Sequence, residues 1–122
     1  MAEETINFMN LLLNNLELDR DLAWAYYEHM KMFLMDKGMV EPEFIIKEIV
    51  DSYGVIGTFY VMEEGNIYLS HRIFEMATDV GKLFYLTHEI VHFMDWHLHK
   101  DFRSEAETDA LAKDILVVWG MM

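Results

Sequence analysis

The chain has no cysteine. That excludes disulfides and thiolate zinc ribbons, so a transition-metal site would have to be built from imidazole and carboxylate. Long apolar runs are also missing, and none approaches the roughly 18 residues of a membrane span. Met1-Ala2-Glu3-Glu4 lacks the basic n-region of a signal peptide. Together these point to a cytoplasmic protein without a membrane role. Basic residues are scarce: nine Lys and Arg stand against 22 Asp and Glu, a net charge of −13. Such a surface argues against nucleic-acid binding by phosphate neutralisation. It favours a basic protein partner through electrostatic steering, and it keeps a Met- and aromatic-rich domain soluble.

What is present fits one domain over 1–122. Hydrophobic residues make up 53% of the chain, enough for a core. Ile6, Met9, Leu12, Leu13 and Leu16 have helical spacing over 4–16. Asp19 is a candidate N-cap for a second helix over about 20–37, with Leu22, Tyr26, Met30, Phe33 and Leu34 as its stripe and Gly38 as its stop. Residues 1–40 thus read as N-terminal helices. Met30, Met32, Met35 and Met39 read as core packing rather than a soft-metal site. The lone proline, Pro42, suits the first turn of a third helix over Glu43–Ser52, burying Phe44, Ile45 and Ile49, with Ile46 a further candidate.

Val55–Met62 reads as a strand, Glu63-Glu64-Gly65-Asn66 as a turn, and Ile67–Ser70 as the returning strand. This antiparallel hairpin is the one sheet the pattern predicts, and an open edge of it would suit an extended peptide. From Thr78 or Asp79 the period returns to 3.6, and a last helix is expected over Ser104–Val118. Ala106, Ala110, Leu111, Ile115, Leu116 and Val118 are its inward set. The expected fold class is α+β, mostly helical, with a small antiparallel hairpin beside the helix after it.

That helix carries Leu86-Thr87-His88-Glu89-Ile90-Val91-His92-Phe93, which contains H-E-x-x-H. His88 and His92 leave one helix face a turn apart, so two neutral imidazoles can share a tetrahedral Zn²⁺. Glu89 leaves about 100° further round, placed to take a proton from water beside the metal. The bland alternative is a chance match in a chain with six histidines.

Two histidines need a third ligand. Glu105 and Asp109 are four apart and share a face of the last helix. Glu105 is one candidate ligand, with Asp109 orienting an imidazole from behind. Glu107 belongs to a capping box with Ser104. If the motif helix runs on to His99, an antiparallel partner starting near Arg103 would set Asp109, not Glu105, level with His92. If it ends near Asp95 or Trp96, Glu105 fits. His97 and His99 read as solvated histidines near a helix end, and His29 as exposed. His71, after the second strand, is a candidate oxyanion stabiliser, with Tyr60, Tyr68 and Tyr85 weaker ones.

Asn66-Ile-Tyr-Leu-Ser70, Leu83-Phe-Tyr-Leu-Thr-His-Glu-Ile-Val-His-Phe93 and Glu105-Ala-Glu-Thr-Asp-Ala-Leu-Ala112 together resemble the ImmA/IrrE-type metallopeptidase domain. The resemblance covers about residues 43–118 and implies a zincin-like fold. It implies that His88, His92 and Glu105 bind zinc and that Glu89 is the base, and it puts Asp109 on the family's Asn/Asp position. Val91 stands where Gly is usual, and Thr108 and Leu111 replace Ala and Phe. SprT- and WLM-like proteases, the nearest rival, would need His97 or His99 on the metal.

The resulting expectation is a zinc-dependent metalloendopeptidase. Its protein substrate would be a phage or mobile-element repressor or another DNA-binding regulator. The alternative is a non-catalytic acidic zincin-like protein that inhibits a basic partner, such as a repressor or nuclease.

Overall fold

A computed structural model describes residues 4–46, 58–61, 66–69 and 74–122. Its elements are β1 (Glu4–Ile6), α1 (Phe8–Asn10), a π-helical turn (Leu11–Asn15), α2 (Arg20–Asp36), β2 (Glu43–Ile46), β3 (Thr58–Val61), β4 (Asn66–Leu69), α3 (Asp79–His99) and α4 (Glu105–Val118). The described chain is α+β and mostly helical. Among the described residues no helix is long and apolar enough to cross a membrane.

The sheet is larger than the sequence pattern predicts. It has four strands in the order β1-β2-β4-β3. The two expected strands pair antiparallel, with Thr58 opposite Leu69 and Val61 opposite Asn66. Asn66, expected in the turn, belongs to β4, and the rest of that turn lies outside the described residues. β2 runs parallel to β4, with Phe44 opposite Ile67, and β1 closes the other side antiparallel, with Thr5 opposite Ile45.

Two helix predictions are thereby corrected. Residues 43–46 form a strand, and the rest of that predicted helix, 47–52, lies outside the described residues. Phe44 and Ile45 point to opposite sides of the strand, yet both are buried, at 0% and 6% exposure. A short apolar run covered on both sides has no period that separates strand from helix, so pairing with β1 and β4 decides. The predicted helix over 4–16 instead begins as a strand. Asn7 starts the helix, accepting a hydrogen bond from Asn10 N–H, which frees Glu4–Ile6 to pair with β2. The π turn, closed by Leu16 N–H to Leu11 O at 2.8 Å, brings Leu11, Leu12 and Leu16 all into the core.

α2 follows its predicted signals. Asp19 accepts from Leu22 N–H, and Ala23, Tyr26, Met30 and Leu34 form the buried stripe. Gly38, at φ +73°, ends the helix in a Schellman turn with Met39 N–H bonded to Leu34 O. Met30 packs in the core, but Met32 and Met35 face solvent. On α4 the inward set shifts by part of a turn: Thr108, Ala112, Ile115 and Leu116 are buried, whereas Ala106, Ala110 and Val118 are exposed.

The core gathers Phe8, Tyr26, Phe44, Ile67, Leu83, Leu86, Ile90, Phe93 and Leu116, so α3 is packed against the sheet side and both long helices. At its centre Tyr26 Oη donates to Thr87 Oγ1 at 2.7 Å, and Thr87 donates in turn to Leu83 O at 2.6 Å. This chain ties α2 to α3 one residue before His88. Burial pushes the Tyr26 hydroxyl well above its ordinary pKa, so it stays a donor. Tyr26→Phe removes one bond and leaves Thr87 still paired. It should cost only about 1 kcal/mol in urea unfolding. A cost several times larger would mean that the hydroxyl does more than this pairing shows.

Candidate metal centre

α3 sets the first two candidate ligands by helical spacing alone. His88 Nε2 and His92 Nε2 face each other at 3.2 Å, and each side chain is about one-eighth exposed. Glu105, the first residue of α4, reaches both. Its Oε2 lies 2.9 Å from His88 Nε2 and its Oε1 3.1 Å from His92 Nε2. Asp109, one turn further along α4, meets His88 from behind, with Oδ1 2.7 Å from Nδ1. Glu89 is buried beside the group, its Oε1 3.7 Å from His88 Nε2.

The expectation that Glu105 needs a motif helix ending near Asp95 or Trp96 is overturned. α3 runs to His99, yet Glu105, not Asp109, faces both imidazole nitrogens. The assumption that failed was that α4 starts where α3 stops. Lys100 turns the chain in the left-handed region, at φ +54°, with its N–H on Trp96 O. The link then doubles back along α3. Arg103 grips Asp95 with two bonds, Nε to Oδ2 at 2.8 Å and Nη2 to Oδ1 at 2.9 Å. Phe102 stacks on Trp96 with ring centres 5.7 Å apart and stands edge-on to His92 at 5.5 Å. His92 lies about 10 Å before His99 at 1.5 Å per residue, and a few extended residues at about 3.3 Å each recover that distance. The capping box predicted for Ser104 and Glu107 is present, so α4 begins where the link delivers it.

The donor set fits zinc. Bonds of about 2.0–2.1 Å in a tetrahedron place neighbouring ligand atoms about 3.3 Å apart. The three observed separations run from 2.9 to 3.2 Å. The Asp109 contact fixes the proton of neutral His88 on Nδ1, which leaves the Nε2 lone pair facing Glu105 and His92. Burial, and then the neighbouring His88, lowers the His92 pKa and favours the neutral, ligating form. His92 Nδ1 is buried and has no hydrogen-bond partner among the described residues.

No family model, curated protein or solved structure matches the chain.

Other predicted candidates fall elsewhere. His97 and His99 are exposed on the last turn of α3, outside the cluster, and His97 lies against the Phe93 ring at 4.6 Å. His29 is exposed as expected but stacks on Trp119 at 5.2 Å. Tyr85 packs edge-on to Phe84. His71 and the side chains of Tyr60 and Tyr68 lie outside the described residues. Sequence reasoning missed the Asp95–Arg103 pair and Phe102. The available signal was an acid, Asp95, directly after the apolar pair Phe93-Met94 and an Arg just before the next cap.

Without metal, Glu89 is pushed up to about 9, first by burial and then by the Glu105 charge. A bound cation acts in the opposite sense and favours the carboxylate. The raised folded pKa makes Glu89 stabilise the metal-free fold fully below its ordinary value of 4.5, a contribution lost as pH rises through about 9. His92 works the other way: its lowered pKa gives stability that is lost as pH falls below 6.5. In chelator, the unfolding temperature should fall from pH 6 to pH 9, and fall less in Glu89→Gln. Equal slopes for the two proteins would contradict this assignment.

Proposed function

We propose that the protein is a cytoplasmic, zincin-like zinc metalloendopeptidase. The observation that carries the reading is the convergence of His88 Nε2, His92 Nε2 and the Glu105 carboxylate at tetrahedral spacing, with buried Glu89 alongside. The three residues would hold Zn²⁺ and leave one position open, as in catalytic zinc sites. Bound zinc lowers the pKa of a water towards about 7 and polarises a carbonyl.

The chain's residues supply the rest. Glu89 accepts the proton of the attacking water on its carboxylate and returns it to the leaving amine. Its burial keeps bulk water from competing for that proton. Asp109 holds His88 in the tautomer and orientation that the site requires. The acidic surface supports a basic protein as substrate, with a phage or mobile-element repressor or another DNA-binding regulator as the proposed class.

The test is zinc analysis of protein purified without chelator, followed by cleavage of an unfolded, Lys- and Arg-rich protein. About one zinc per chain and chelator-sensitive cleavage are expected. Zinc without cleavage would leave the non-catalytic acidic binder, and no zinc after re-addition would sink both. Asp109→Ala should retain the site but weaken zinc binding roughly 10–100-fold, measured by competition with a chromophoric chelator. Unchanged affinity would remove Asp109 from the centre.

A further inference from the structure

We propose that Arg103 and Asp95 are positioning residues for the metal, a latch that presents the third ligand. This inference rests on the zinc reading above. His88 and His92 come from the interior of α3 and are placed by helix geometry. Glu105 is different: it sits on the first turn of another helix, and its side chain is three-quarters exposed. Among the described residues its side-chain carboxylate meets only the two imidazoles. Its position is therefore inherited from the link between the helices.

The firmest hold on that link is the Arg103 fork. Asp95 is an acid at 2% exposure on the buried side of α3, and both of its oxygens are engaged by the guanidinium. A planar fork fixes direction as well as distance, which a single bond does not. Arg103 is two residues before Glu105, so an error in its placement passes almost undiminished to the ligand. Phe102 on Trp96 holds the link one residue earlier, and the Ser104–Glu107 capping box starts α4 one residue later. Lys100 turns the chain, and the Arg103–Asp95 pair holds the link level with Asp95, one turn before the end of α3. A buried acid of this kind costs desolvation that an apolar residue would not, and setting ligand register is the role that explains its presence here.

The test compares zinc affinity by calorimetric titration of the full chain with zinc alone, in two backgrounds. In the otherwise native chain, Arg103→Ala should weaken zinc binding roughly 10–100-fold, the size expected for a residue that orients a ligand. In a Glu105→Ala/Asp109→Ala background, only the two histidines of α3 remain, and Arg103→Ala should change affinity by less than about threefold. A purely structural latch predicts the opposite: a lowered unfolding temperature with the same factor, or none, in both backgrounds. That result would overturn the proposal while leaving the zinc site standing. Failure of the native chain to bind zinc would overturn the zinc reading itself, and the latch with it.

Arg103→Lys covers the case in which Arg103→Ala does not fold. It keeps a cation beside Asp95 but loses the fork. It should fold, as judged by circular dichroism, and still bind zinc at least several-fold more weakly than the native chain. Native affinity in Arg103→Lys would overturn the proposal.

Discussion

Glu89→Gln should bind about one zinc per chain and cleave peptide on the order of 10²–10⁴-fold more slowly than the native protein. The size follows from what the side chain does. Gln has the same shape and stays neutral in a buried place beside the Glu105 charge, so nothing in the fold or in the ligand set is disturbed. What it lacks is an oxygen that can take a proton. Equal zinc content measured by metal analysis and a lost rate measured on one peptide would separate proton transfer from metal binding. Retained cleavage in purified protein would rule out Glu89 as the base.

Glu105→Ala is expected to weaken zinc binding by more than the roughly 10–100-fold that a supporting residue such as Asp109 contributes. It removes one of the three proposed ligands and leaves two imidazoles 3.2 Å apart with no carboxylate between them. The fold should be nearly untouched, because the Glu105 side chain is three-quarters exposed and the capping box of α4 uses Ser104 and Glu107 instead. Side-by-side chelator competition on Glu105→Ala and Asp109→Ala decides the order. A larger loss for Asp109→Ala would exchange their roles and contradict the separations seen here.

The part of this protein readable from sequence is the part encoded within a few consecutive residues. The caps at Asp19 and Ser104 and the stop at Gly38 all act over one or two turns, and each stands where the pattern predicts. His88 and His92 belong to the same class, because helical spacing alone puts them on one face. Glu105 as candidate ligand and Asp109 as its supporter were legible from their shared helix face, but which of the two lies level with His92 was not.

Tertiary structure decided the rest. β1 and β2 exist because Thr5 finds Ile45 and Phe44 finds Ile67, partners 40 and 23 residues apart, while their own short sequences fit a helix equally well. The choice of Glu105 over Asp109 turns on where the chain goes after His99. Helix periodicity is silent there, since a link has no period. Its path was set by one buried acid, Asp95, which needed a cation and drew Arg103 back along α3 to supply it.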